Sequence, residues 1–253
     1  MKYSKYDRGL CTVITGGTSG IGRAIVKRIL EGSEDERDRI FVNYGHDDAL
    51  AGSLLEELGE EGRKKVMLVK ADMSSYDGIG ELVSQVLEET DGIDRLILNT
   101  GISSYLPFDE YTTALWDEIM MTNVNVPAFT VQAFKPHMNE GGCILFMGSH
   151  AGQAPYSSSV VYSTSKAALM FLAKSLVKVF DEQGVRVNAV APGFIETRWQ
   201  DNRSQESRDR INRKIAAHRF GTPEEVADLC WEILNNDYLN GSIYDIHGGY
   251  DYF

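Results

Sequence analysis

The chain has 253 residues, 43% of them hydrophobic and 25% charged, enough for one large α/β domain or two small ones. Acidic residues outnumber basic ones 37 to 25, and the net charge of −12 repels phosphate backbones and excludes nucleic acid as an expected partner. The three cysteines, Cys11, Cys143 and Cys230, lie in apolar or helical stretches without a CxxC pair, and no metal ligand set is read. The opening MKYSKYDRGL lacks a signal-peptide pattern, and the apolar runs fall short of the roughly 20 residues of a bilayer span. The expected location is cytoplasmic, with no membrane partner.

Strand-length apolar runs alternate with helical patterns along the chain. A strand is predicted at 10–15, a helix at 21–30, a strand at 40–44, a helix at 49–58, a strand at 66–70 and a helix at 78–89. A strand at 96–98, a long helical stretch at 113–138, a strand at 143–147, a helix at 161–180 and a strand at 185–190 follow. Pro223 opens a helix to 234, and a last strand covers 242–246. Nearly all-apolar strands alternating with helices predict a doubly wound parallel sheet of the Rossmann type, in a single domain over residues 1–253. Two segments break the rhythm. The charge run 31–39 reads as a solvated loop. The polar, Arg-rich segment 196–217 follows a strand end and is expected to serve as a lid.

Between the first strand and first helix stands Thr15-Gly16-Gly17-Thr18-Ser19-Gly20-Ile21-Gly22. A diphosphate needs bare backbone N–H groups and the positive end of a helix, and glycines let the backbone come close enough to supply both. A nucleoside triphosphatase would need Lys then Ser or Thr after the glycines, which Gly22-Arg23-Ala24 does not provide. Further on, Tyr162 and Lys166 are four residues apart on a helix and share a face. An ammonium beside a phenol favours the phenolate and lowers a pKa of about 10 toward a useful range. Ser149 follows the fifth strand, where its hydroxyl can donate to a substrate oxygen or cap a turn. Asn123 is a poor helix former inside a helical stretch, so it caps a bend or binds a water.

Together, the TGxxxGIG turn, the YxxxK pair and the upstream Ser and Asn resemble the short-chain dehydrogenase/reductase family over essentially the whole chain. The resemblance implies an NAD(P)-dependent oxidoreductase with Asn123, Ser149, Tyr162 and Lys166 as catalytic tetrad. Tyr162 would be the acid or base, and Lys166 would tune it and hold the nicotinamide ribose. Ser149 would orient the carbonyl, and Asn123 would hold a relay water. The resemblance also implies a cofactor site. Gly16, Thr18, Ser19, Gly20, Ile21 and Gly22 would form its phosphate turn, and Asn43 and Tyr44 would lie near the ribose. Asp72 would meet adenine. Asn99 and Gly101 would shape the pocket around Thr100, where the family usually carries Ala. Pro192, Gly193, Ile195 and Thr197 would meet the nicotinamide.

No carboxylate follows the second strand before Asp47, and no Arg or Lys clamp is evident, His46 being the single candidate. The balance slightly favours NADP(H) over NAD(H). Ser103, His150, Tyr156 and Trp199 are expected to line a small-molecule carbonyl or alcohol site. The chain resembles 3-oxoacyl-carrier-protein reductases, glucose-type sugar dehydrogenases and hydroxysteroid dehydrogenases alike. Lys135 and Lys174 would serve an acyl carrier or lie on a solvated face. A non-catalytic dinucleotide-binding regulatory protein would be expected to lack Tyr, Lys or Ser, all of which are present. The family also implies a homotetramer or homodimer. The helix pattern Ala167, Ala168, Leu169, Phe171 and Leu172 and the tail Tyr250, Tyr252 and Phe253 are compatible with that assembly or with the chain's own core.

Overall fold

A computed structural model describes residues 9–154 and 159–250. The strands β1 (Cys11–Ile14), β2 (Arg39–Tyr44), β3 (Val66–Lys70), β4 (Ile93–Leu98), β5 (Met138–Met147), β6 (Arg186–Pro192) and β7 (Ile243–Ile246) form one sheet in the order β3-β2-β1-β4-β5-β6-β7. Every pairing is parallel. The helices are α1 (Gly20–Glu31), α2 (Asp48–Lys65), α3 (Tyr76–Leu87), α4 (Thr113–Met120), α5 (Val126–Phe134), α6 (Val160–Leu176), α7 (Gln205–Asn212) and α8 (Pro223–Asn235). From β1 the chain first builds outward through β2 and β3, then returns and builds the other way from β4. The gap between the carboxyl ends of β1 and β4 is therefore a switch point, where doubly wound sheets bind ligands.

Side chains alternate between the faces of a strand, and both faces here are covered. Val13, Leu96 and Phe146 bury on the side of α3, α5 and α6, against Leu82, Phe134 and Leu169. Their neighbours Ile14, Ile97 and Leu145 bury on the side of α1, α2 and α8, against Ile25, Leu54 and Val226. Pro223 stands in the first turn of α8, and Thr222 and Glu225 close a reciprocal capping box that satisfies two otherwise open N–H groups. All three cysteines are buried. By length and apolarity the stretch Val160–Val179 could cross a bilayer. Here its Val161, Leu169, Met170 and Ala173 are buried, and the helix packs on β5 and β6.

The structure departs from the predicted elements in four places. The long helix predicted at 113–138 is broken by a π-helical turn at Met121–Asn125, closed by a bond from the Val126 N–H to the Met121 carbonyl. Pro127 has no N–H to return to the Asn123 carbonyl, so regular α geometry cannot close there. Strand β5 starts at Met138, five residues before the predicted start, because Met138 pairs with Ile93 of β4 before a register shift carries the polar Asn139–Gly142 segment to Cys143, opposite Arg95. Helix α2 continues to Lys65 past a kink at Gly59, whose φ of 65° suits a residue without Cβ. In the charge run 31–39, Asp38 is buried and accepts from the Leu10 N–H at 2.7 Å, so it is a brace rather than a solvated residue.

Candidate active site

The glycine-rich turn is shaped by backbone strain that glycine alone tolerates. Gly16 and Gly20 have φ of +62° and +50°. A Cβ on Gly22 would lie 2.2 Å from the Gly16 carbonyl oxygen, so that residue must be glycine for the turn to lie against α1. Asn99 holds the turn from the end of β4, its Nδ2 donating to the carbonyls of Thr15 (3.2 Å) and Gly16 (3.0 Å). Thr15 Oγ1 accepts from the N–H groups of Asn99 and Thr100. Asn43, expected near the ribose, is buried as a brace. Its Nδ2 donates to the Val69 and Ala71 carbonyls and its Oδ1 accepts from the Gly16 N–H. Tyr44 gives its hydroxyl to Asp48, and Asp72 pairs with His46 at 3.3 Å.

A cavity of about 270 Å³ opens beside this turn. Gly16, Ser19, Gly20 and Ile21 form its floor, and Asn99 and Gly101 one wall. Pro192, Gly193, Ile195 and Thr197 at the end of β6 form the other, and Ser149, Tyr162 and Lys166 close the far end. Thr18, Gly22, Asn43, Tyr44 and Asp72, expected at the cofactor site, do not line this cavity. Of the segment expected to form a lid, Thr197, Arg198, Trp199 and Gln200 reach the cavity. The part beyond forms α7 and packs through Ile211 and Ile215 on Phe220.

The catalytic candidates converge. Ser149 follows β5 in extended conformation, caps the short turn His150–Gly152 by accepting from the Ala151 N–H at 3.2 Å, and hydrogen-bonds the Tyr162 phenol. Cap and site residue are thus the same hydroxyl. Lys166 is buried, and its Nζ donates to the Met147 carbonyl at 2.7 Å and lies 5.8 Å from the centre of the Tyr162 ring. Gly101 leaves room for it, since a Cβ there would sit 3.1 Å from Lys166 Nζ and 3.2 Å from Asn123 Oδ1. Asn123 is clamped by Ile102, its Oδ1 accepting from the N–H at 2.8 Å and its Nδ2 donating to the carbonyl at 2.9 Å. Its Nδ2 also donates to Ser165 on α6 at 2.9 Å. The π turn thus holds Asn123 against both the β4 loop and α6.

The electrostatics correct one expectation. Burial pushes the Tyr162 phenol up to about 12, outweighing the Ser149 hydrogen bond that favours its anion, and the nearby Tyr105 phenol adds to the rise. Lys166 does not lower it in the free protein, because the ammonium is turned to the Met147 carbonyl. Burial also brings Lys166 down to about 8. The resting pair is a neutral phenol over a cation that titrates in an accessible range.

The expected substrate residues divide. Trp199 lines the cavity and meets the Tyr162 ring edge-on at 5.6 Å. Ser103 donates to Ser159 at 3.2 Å and does not line the cavity. His150 is turned away from it, buried with its ring 4.3 Å from that of His247 and its Nδ1 3.8 Å from Asp245. Those three side chains could gather round a cation, although the Tyr250 N–H already donates to His247 Nδ1. Tyr156 lies outside the described residues. Sequence reasoning missed Arg198 and Gln200 in the cavity wall, and Tyr105 beside the phenol.

The residues present fit a dinucleotide. The Thr100 hydroxyl at the cavity wall is buried without a hydrogen-bond partner, and Gly16 and Gly20 place no side chain on the cavity floor. A parallel sheet with this trough at its switch point and an acid–base group at the trough's end defines an oxidoreductase acting on alcohol or carbonyl groups. A sequence profile of the short chain dehydrogenase family matches residues 11–208, and the chain belongs to that family. Glucose 1-dehydrogenase 2 of Bacillus subtilis is 32% identical over 249 residues, spanning 95% of this chain and 94% of that one. The 3-oxoacyl-[acyl-carrier-protein] reductase FabG of Aquifex aeolicus is 31% identical, spanning 96% and 97%. The crystal structure of a blue fluorescent protein from a metagenomic library in complex with NADPH superposes with a TM-score of 0.88 at 26% identity, spanning 96% and 98%.

Proposed function

We propose that this enzyme reduces a ketone, of which a 3-oxoacyl thioester is one candidate class, using NADPH. The observation that carries the reading is the Ser149–Tyr162–Lys166 arrangement at the end of the glycine-floored trough. When bound there, NADPH supplies the hydride. Ser149 is placed to donate to the substrate oxygen as negative charge develops. Tyr162, neutral at physiological pH, delivers its proton to that oxygen, and the buried Lys166 ammonium, turning from the Met147 carbonyl toward the phenol, stabilises the phenolate left behind. Trp199 presents an aromatic wall that suits an apolar substrate.

NADP(H) is preferred over NAD(H) in this reading. The NADPH complex of the metagenomic protein supports the dinucleotide class, and the cation in the cavity wall supports the phosphorylated form. The experiment is a panel of 3-oxoacyl thioesters, sugars and hydroxysteroids with either coenzyme, followed by nicotinamide absorbance. Turnover confined to sugars or steroids would overturn the thioester assignment.

Two further outcomes are expected. Carbonyl reduction should be constant below about pH 8 and decline above it, because the Lys166 charge is present below that value and lost above. Lys166→Arg, charged throughout, should move the decline alkaline if it retains turnover. A wild-type profile flat to about pH 10, near the ordinary lysine value, would contradict the assigned role. We also propose that the protein is cytoplasmic, and, separately, that it self-associates through α6, which leaves both Val160 and Phe171 exposed. Phe171→Glu should lower the mass measured by light scattering, and an unchanged mass would remove this residue from the interface.

A further inference from the structure

The sequence offers no basic clamp beside β2, yet the fold brings one there from the other side of the trough. Arg198 begins the short turn Arg198–Gln200 after β6. Its predecessor Thr197 packs over the glycine turn, with its Cγ2 3.4 Å from where a Cβ of Gly20 would stand. From this position the Arg198 guanidinium reaches across to Asp47, with its Nη1 3.9 Å from the Asp47 Oδ2. Asp47 is the first carboxylate after β2 and caps α2, its Oδ1 accepting from the Leu50 N–H at 2.9 Å. Doubly wound enzymes read the adenosine ribose in this loop, a carboxylate taking the 2′-hydroxyl or an arginine the 2′-phosphate.

Other polar side chains around that place are already engaged. His46 pairs with Asp72, and Lys70 pairs with Asp48. Arg23 is held by Glu57 and the Ser53 hydroxyl and carbonyl. Among the described residues, those lining the cavity include two cations, Lys166 and Arg198, and no carboxylate. Lys166 is buried at the nicotinamide end and bonded to Met147. Arg198 and Asp47 are 65% and 51% exposed, and their separation exceeds hydrogen-bonding distance. Such a pair contributes little and exchanges readily for a better partner. A phosphate dianion with oxygens matched to the guanidinium fork is one.

We propose that Arg198 is the specificity residue for the phosphorylated coenzyme, taking the 2′-phosphate of NADP(H), with Asp47 as its counter-ion until that phosphate arrives. The inference rests on the dinucleotide reading of the trough and goes beyond it by naming a discriminating residue outside the glycine turn and the β2 loop. Asp47 has two effects. It holds the guanidinium near the ribose position, and its own charge disfavours a phosphate there.

The test is equilibrium binding of NADPH and NADH to wild type, Arg198→Gln and Asp47→Asn, with 2′,5′-ADP and 5′-AMP as competitors. Arg198→Gln should weaken NADPH and 2′,5′-ADP by on the order of tenfold, the loss of a charge-assisted pair, and leave NADH and 5′-AMP within about twofold. Arg198→Lys should fall between, as a point charge without the fork. Asp47→Asn keeps the helix cap and should bind NADPH at least as tightly as wild type. Equal weakening of NADPH and NADH by Arg198→Gln would place the cation on the diphosphate and overturn the proposal, as would no weakening of either. Weaker NADH binding by Asp47→Asn would show the carboxylate reading the ribose hydroxyl and also overturn it. A wild type that binds neither coenzyme would refute the dinucleotide reading itself. Wild-type binding that is indifferent to Arg198 would refute only this residue's role.

Discussion

Tyr162→Phe is expected to lower turnover by on the order of 10²-fold or more, the usual loss when a positioned acid is removed, while NADPH binding stays within about twofold. The substitution takes away one oxygen. It leaves the ring against Trp199 and the Lys166–Met147 bond intact. Ser149 loses its phenol partner but keeps its bond from the Ala151 N–H, so the turn after β5 should hold. The check is steady-state kinetics beside a binding titration. Retained turnover on a genuine substrate would remove Tyr162 from the chemistry. Loss of binding together with turnover would make its role structural.

Gly22→Val is expected to act at the other end of the trough, weakening both coenzymes by about 10- to 100-fold through displacement of the phosphate turn. The added Cβ would meet the Gly16 carbonyl at 2.2 Å and Asn99 Nδ2 at 2.7 Å, so both turn and brace must move. Gly52→Val is the control, because a Cβ there has nothing within 4 Å and its effect reports only the cost of a β-branched residue in a helix. If a folded Gly22→Val protein, judged by its thermal transition, binds NADPH like Gly52→Val, the turn does not hold the phosphates.

The order of elements was readable because both faces of the sheet are covered, leaving stretches such as Leu96–Leu98 of β4 and Cys143–Met147 of β5 wholly apolar. The glycine turn and the Tyr162–Lys166 pair were readable because each depends on neighbours a few residues away. Features set by distant partners were not. The π turn at Met121–Asn125 needs both Pro127 and the clamp of Asn123 by Ile102 across the core. The start of β5 carries no apolar run and is recruited by the pairing of Met138 with Ile93 of β4. The direction of the Tyr162 shift turned on where the Lys166 ammonium points, and its partner is a carbonyl on another strand. His150 follows Ser149 directly, yet its side chain turns toward His247, which only the end of β7 brings near. Arg198 was passed over because the loop it reaches follows β2, while its own segment follows β6.

The most direct test of the central claim is a titration of the wild-type protein with NADPH, read as energy transfer from tryptophan to the reduced nicotinamide. Trp199 lies in the cavity wall beside Tyr162 and should report a nicotinamide placed there. The account predicts saturable binding of one coenzyme per chain, with a dissociation constant below about 1 mM, the upper end of ordinary enzyme working ranges. No saturation with NADPH or NADH up to that concentration would contradict it.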